Sequence, residues 1–361
     1  MKNQNNIDKQ INKILIIRLS SIGDIVLSTH LIRLLRNHFP SAELDFICFS
    51  EYQEILNKNK RLSKLHIILK SYLKSSSDKE LNDFFKNNEI NNYDLIIDLH
   101  KNKYSKKIIN LSIKNSSKIS TKIYKIKKLR LHKLSLVFFK KSLKKDFQIP
   151  DLYLETVREI GVQDDGMGLE IWLPDENEYL TVPQKKTEDH VPMIAIAPGA
   201  AHYTKRYPKE KFLNVMDMLS KNYGAKLILL GGINDTELCE YLEKSIDAKI
   251  DNYCGKTSLA HTAELINNCD LLITNDTGIM HIAAARQVPI VAIFGSSVKE
   301  LGFTPFRVSN QIVEHQIWCR PCSHIGRESC PLGHFKCMNE ILPSDIVNAV
   351  ETILNRNSSD S

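Results

Sequence analysis

The sequence predicts an α/β protein made of two doubly wound domains, and three observations carry that prediction. Short apolar, β-branched runs alternate with stretches of helical periodicity, the pattern of a parallel sheet covered by helices on both faces. The alternation stops at a polar, proline-containing stretch, 173–192 (LPDENEYLTVPQKKTEDHVP), and then starts again. The length of 361 residues suits two domains of ordinary size. The expected domains are 1–180 and 190–342, facing each other across a cleft, with a helix and tail over 343–361.

In the first series KILIIR (13–18) reads as a strand, followed by the small-residue turn SSIGD and a helix from Ile25 to about Asn37. Strand-like runs follow at 43–49 (ELDFICF), 65–70 (LHIILK) and 93–99 (YDLIIDL), with helix-like stretches between them. The second series places strands at 192–199, 225–232, 270–275 and 289–295, and helices at 209–221, 235–245 and from Thr277. Pro343 is placed to begin the last helix, because proline suits a first helical position. Residues 1–10 and 356–361 are expected to be disordered.

Composition narrows the classes. Hydrophobic residues at 42% and charged residues at 25% are ordinary globular usage and exclude a wholly disordered or fibrous chain. No apolar run approaches the roughly 18 residues a membrane span needs. The four apolar residues before Arg18 are too short for a secretory signal core, so a cytoplasmic location is expected. The net charge of +7 is unevenly spread: residues 101–145 hold 16 Lys and Arg and no acid, leaving the rest of the chain at −9. A block of one sign implies a partner. This one lacks the interleaved aromatics that stack on bases, so nucleic acid is not the expected partner.

Open α/β sheets bind ligands at the carboxyl ends of their strands, so the loops after 18, 99, 197, 231 and 275 are the candidates for a site. In Arg18-Leu-Ser-Ser-Ile-Gly-Asp24 the small residues permit a tight strand-to-helix turn. Asp24 at the helix start suits either a cap or a general base aimed at a substrate hydroxyl. The spacing is not the three-glycine dinucleotide fingerprint. In PGAAHYTKRYP (198–208) small residues would let a phosphate reach the backbone, with Lys205 supplying charge, unless this is simply a basic surface loop. In TNDTGIMH (274–281) a strand runs straight into a helix, whose free amides at Thr277 and Gly278 suit a diphosphate. The bland alternative there is a cap at Asp276 and a core histidine at His281. In GGINDTE (231–237) a carboxylate after paired glycines suits a ribose hydroxyl or, equally, a helix cap.

Cys319, Cys322, Cys330 and Cys337 fall within 19 residues, together with His324 and His334. A structural zinc, packed thiols and disulfides all remain open, because the spacing fits no standard finger. The other cysteines, Cys48, Cys239, Cys254 and Cys269, read as core residues.

Taken together, the motifs RLSSIGD (18–24), PGAAHYTKRYP (198–208), LLGGINDTE (229–237) and NDTGIMHIAAA (275–285) resemble the ADP-heptose:lipopolysaccharide heptosyltransferase family, glycosyltransferase family 9. The resemblance runs in order over nearly the whole chain and is nearer the second heptosyltransferase type than the first. It implies a GT-B fold of two Rossmann-like domains and an inverting transfer of heptose from ADP-heptose to the lipopolysaccharide inner core. The enzyme would work at the cytoplasmic face of the inner membrane, as a peripheral protein. Asp24 matches the family's catalytic base and Lys205 the lysine on the donor phosphates. Asp276, Thr277, Gly278 and His281 match the donor diphosphate-sugar loop. Gly23 and Ala201 join the donor set, and Thr257 falls near the segment covering the adenine. The GGINDTE turn matches the nucleoside region, through Asp235, Thr236 or Glu237. Where some members carry two threonines, this chain has Ala200 and Ala201, so backbone amides would serve instead. No DxD-like carboxylate pair lies beside the nucleotide loop, so no catalytic metal is expected. Lys122, Lys125, Lys127 and Lys128 are the expected membrane- or acceptor-facing charges. The alternatives are another GT-B reaction on a different nucleotide sugar, and a nucleotide-sugar-binding protein without catalysis.

Overall fold

The computed structural model describes residues 11–144, 146–174 and 191–359. The chain divides into two compact units, 1–128 with 149–174, and 129–148 with 175–361. Most of the polar stretch at 173–192, and the terminal residues 1–10 and 360–361, lie outside the described residues.

The first unit holds five parallel strands in the order β3-β2-β1-β4-β5. They are β1 (Lys13–Ile17), β2 (Glu43–Phe49), β3 (Lys64–Ile68), β4 (Leu95–Asp98) and β5 (Lys122–Lys125). The helix Ile22–His38 follows β1 directly. It is apolar nearly all round and buried along most of its length, as a helix between a sheet and other elements must be. Arg33 of that helix, 2% exposed, ties the returning segment to the unit. Its guanidinium donates to both Asp165 oxygens at 2.6 and 2.9 Å and to Glu170 at 3.2 Å, and Arg61 also donates to Glu170. Removing one partner of so buried a pair costs about 3–5 kcal/mol.

The second unit holds six parallel strands in the order β11-β10-β9-β6-β7-β8. They are β6 (Met193–Ala197), β7 (Lys226–Leu229), β8 (Ile250–Asn252), β9 (Leu271–Asn275), β10 (Ile290–Phe294) and β11 (Asn310–Glu314). Counted within the unit this is the Rossmann order 3-2-1-4-5-6 read from the far edge, and the first unit follows 3-2-1-4-5. In both, the strand order reverses between the first and fourth strands, β1/β4 and β6/β9. Ligands of open sheets bind at that point.

Two boundaries differ from those expected. Residues 129–148 group with the second unit, where Gln148 donates to the Thr304 hydroxyl at 2.6 Å and His132 bonds the Glu300 carbonyl at 2.8 Å. The final helix begins at Pro343 as expected but is not a separate tail. Ile346, Val347, Val350 and Ile353 complete the second unit's core, and the helix continues to Ser359, through residues expected to be disordered.

Candidate functional site

At the first unit's switch point, the residues after β1 and β4 meet. Arg18 donates to the Leu99 carbonyl at 2.6 Å and the Ser20 carbonyl at 2.8 Å, and its remaining nitrogen pairs with Asp24 at 2.5 Å. Ser21, not Asp24, is the helix N-cap. Asp24 is the third helical residue, and its carboxylate accepts from the Ser21 hydroxyl at 3.1 Å and the Ser21 amide at 3.5 Å. The Tyr153 hydroxyl donates to its other oxygen at 3.4 Å. Capping and ion pairing thus fix a carboxylate that still keeps 20% of its side chain exposed. Gly23 is buried in the first turn beside it.

Burial would raise the Asp24 carboxyl, but the Arg18 guanidinium and the Ser21 bonds outweigh it and hold the group below its ordinary 3.8. Asp24 is therefore ionised throughout the neutral range. Because its folded pKa is depressed, the pair's stabilisation is complete above the ordinary value. It fades as pH falls below that value and is lost once pH has passed through the lower, folded one. Arg18→Met should move the Asp24 titration upward, since burial then acts without its opponent. A carboxyl resonance that titrates unchanged in that variant would show that the ion pair does not control Asp24. His100, in the loop after β4, is pushed down to about 4 by burial and then by Arg18, so it is a neutral imidazole at physiological pH. Strand position alone marks the loop after 99 in the sequence; nothing there ties His100 or Tyr153 to Asp24.

At the second unit's switch point three loops converge. Asn275, at the end of β9, donates to the Pro198 carbonyl at 2.7 Å and accepts from the Tyr207 amide at 3.2 Å, fixing the loop after β6. Lys205 pairs with Asp276 at 2.6 Å, and the Ser297 hydroxyl donates to the same Asp276 oxygen at 2.5 Å. Asp235 accepts from the Gly232 amide at 3.0 Å. It also lies directly over the loop after β6: a Cβ on Gly199 would stand 2.2 Å from the Asp235 Cγ. Gly199→Ala should therefore displace Asp235 and cost about 1–3 kcal/mol, the usual penalty of overpacking. Urea denaturation measures it, and an unchanged midpoint would mean that the two loops are not locked together.

Helix Gly278–Ala285 starts beside this cluster with Thr277 as N-cap, whose side chain makes no capping bond. Its first-turn amides carry the positive end of the helix dipole. His281, 3% exposed, sits inward near Phe303, with ring centroids 6.5 Å apart. Ala201 is exposed beside the Lys205 turn. Thr257 is engaged locally, its hydroxyl 2.9 Å from that of Thr262. Its loop adjoins the glycine pair through the Gly255 amide, which donates to the Gly231 carbonyl at 3.0 Å. Ser297 is an addition to the residues expected from sequence. It follows β10, whose carboxyl end shares the same sheet edge, so the strand-end rule could have reached it.

Residues 84–332 match the family model for glycosyltransferase family 9 (heptosyltransferase). The chain belongs to glycosyltransferase family 9. The chain is 32% identical over 167 residues to lipooligosaccharide heptosyltransferase 2 of Campylobacter jejuni, covering 45% of this chain and 51% of that protein. It is 32% identical over 135 residues to lipopolysaccharide heptosyltransferase 2 of Escherichia coli K12, covering 36% of this chain and 38% of that one. These matches span about half or less of the relatives' own length. In fold, the family 9 member is similar to the glycosyl transferase family 9 protein of Veillonella parvula, with a TM-score of 0.76, 23% identity and coverage of 96% and 98%. It is also similar to E. coli ADP-heptose LPS heptosyltransferase II, with a TM-score of 0.69, 19% identity and coverage of 96% and 99%. The fold is GT-B, with one Rossmann-like sheet in each unit.

Proposed function

We propose that this family 9 chain is an inverting glycosyltransferase that moves heptose from ADP-heptose to the inner core of lipopolysaccharide. The observation that carries the reading is the convergence of the 198–206, 231–235 and 275–278 loops at the switch point of the second sheet, with Lys205 held there. The names of the similar Campylobacter and E. coli proteins point to the same transfer.

In the proposed reaction an acceptor hydroxyl oxygen attacks the anomeric carbon from the side away from the leaving group. The C–O bond to ADP breaks as the new glycosidic bond forms. Asp24 takes the acceptor proton. Lys205 and the amides at Thr277 and Gly278 stabilise the charge that gathers on the departing diphosphate. Asp235 is assigned to the nucleoside, and Thr257 to the loop that flanks it. A donor screen tests the reading: nucleotide release is scored with a defined inner-core acceptor and a panel of ADP-, UDP- and GDP-sugars. ADP-heptose should be turned over in an acceptor-dependent way. Turnover of a UDP- or GDP-sugar instead would replace the proposal with another GT-B transfer.

Peripheral attachment to an anionic membrane is part of the proposal. Among the described residues no helix is long and apolar enough to cross a membrane. Lys122, Lys125, Lys127 and Lys128 are all exposed. The sequence that follows presents Leu131, Leu134, Phe138, Phe139 and Leu143 to solvent, each at least half exposed. Ile126, between two of the lysines, is buried and adds nothing to such a contact. Each Lys near an anionic surface contributes about 1 kcal/mol, and apolar side chains add shallow insertion. Replacing the four lysines with Gln should release the protein from anionic vesicles at low salt and leave ADP binding unchanged. Undiminished vesicle binding would assign attachment elsewhere.

A further inference from the structure

The second unit contains a feature that the transfer reaction does not use. Residues 315–335 form no helix or strand, an unusually long irregular stretch for a compact unit. Cys319, Cys322 and Cys330 lie in it and Cys337 just beyond, and all four are free thiols. They line one small, partly open cavity of about 30 Å³, together with His334, Thr204, Ser296, Arg320, whose guanidinium is bonded to backbone carbonyls and Glu314, and apolar walls from Pro331, Leu332 and Phe335. About 10–15 Å³ suffices for one water-sized occupant, so the cavity has room for a single ion and little else. The backbone amide of Lys336 donates to His334 Nδ1 at 3.0 Å, which leaves the proton on Nε2. That nitrogen faces Cys319 Sγ at 3.9 Å, as a donor to sulfur rather than as a ligand.

We propose that Cys319, Cys322, Cys330 and Cys337 bind one thiophilic divalent ion tetrahedrally, with zinc the expected occupant and the His334 Nε2–H bonded to the Cys319 sulfur. Four thiols with no disulfide among them, a cavity of one-ion size and an N–H donor behind one sulfur fit a closed structural site. Among the described residues no three of these ligand atoms lie within 4.8 Å of one another, so loading draws the sulfurs together as each thiol gives up its proton to solvent. The candidate ligands that are gathered among the described residues, His30 with Asp164 and Asp165, need no cation, because Arg33 already neutralises Asp165 through two bonds.

The site is placed to stiffen the Lys205 turn. Thr204 and Ser296 form part of the cavity wall. The Thr204 amide donates to the Arg327 carbonyl at 3.1 Å, and its hydroxyl accepts from the Arg327 amide at 2.9 Å. The Ser296 hydroxyl donates to the Thr204 hydroxyl at 3.1 Å. The cysteine loop thus grips the residue before Lys205 at both its backbone amide and its hydroxyl. Only this last link rests on the proposed donor role of Lys205.

Metal analysis of the full chain, purified under reducing conditions without added metal, tests the proposal. About one zinc per chain is expected, with the four thiols protected from a thiol reagent until a chelator is added. Stripping should lower Tm, and zinc alone should restore it. Cys322→Ser should abolish stoichiometric metal, whereas Cys239→Ser, in the core away from the cavity, should keep it. One equivalent of iron, recognised by thiolate-to-metal absorption, would support the same site with a different occupant. Metal-free protein with four reactive thiols and a chelator-insensitive Tm would overturn it, and so would a disulfide between any two of the four. None of these readouts requires ADP-heptose, so failure of the site and failure of the proposed transfer are distinguishable.

Discussion

Asp24→Asn is expected to lower turnover by about 10²–10⁴-fold, the usual worth of a positioned base, while nucleotide binding survives. The amide keeps the size of the side chain, and its oxygen can still accept from Ser21 and Arg18, so the helix start should stay formed. What disappears is the ability to take a proton. A carboxylate held below its ordinary pKa is a weak base in the ground state. It nonetheless suits a displacement in which the acceptor hydroxyl acidifies only as its oxygen bonds to the anomeric carbon. Near-normal turnover in a well-folded Asp24→Asn protein would reduce Asp24 to a helix-capping and ion-pairing residue.

Lys205→Ala carries the second large effect. A charge-assisted hydrogen bond is worth about 1.5–3 kcal/mol, or roughly 10–150-fold in kcat/KM. The loss should fall more on kcat than on donor affinity, because charge on the diphosphate grows as the bond to sugar breaks. The structure adds a condition. Lys205 is paired with Asp276, so its removal leaves a carboxylate that keeps the Ser297 hydroxyl on that oxygen but no cation from Lys205, close to where the diphosphate is proposed to lie. Asp276→Asn in the Lys205→Ala background should therefore recover part of the donor affinity, a coupling of the kind neighbouring charges show. Equal losses of affinity for ADP-sugar and for adenosine in Lys205→Ala would mean that the lysine does not serve phosphate.

Much of the fold is legible in the sequence because central parallel strands are apolar on both faces. The ELDFICF run coincides with β2, and the runs at 13–18 and 270–275 overlap β1 and β9 almost to the residue. The edge strands β5, β8 and β11 are hidden for the converse reason. KIYK and NQIVE are charged or half-solvated, as edges tend to be, and β8 spans three residues. The domain boundary is more complex than the sequence suggests. The tie between Arg33 and Asp165 and the grouping of 129–148 with the second unit both depend on contacts between residues far apart in sequence. Site residues carried by short motifs are readable. Tyr153 and His100 are not, since each acquires meaning only when the sheet brings its loop to the switch point; Arg18 lies in the first motif without its pairing to Asp24 being marked, and Ser297 is reached only through the strand-end rule. At Asp24 the spacing also misplaces the capping position, which falls to Ser21 three residues earlier.

The anomeric configuration of the bond formed from ADP-heptose bears most directly on a single displacement assisted by Asp24. Proton NMR of the heptosylated acceptor should show the configuration opposite to that of the donor. A product that retains the donor's configuration would require two displacements or a different course altogether, and would contradict Asp24 as the base of a direct transfer.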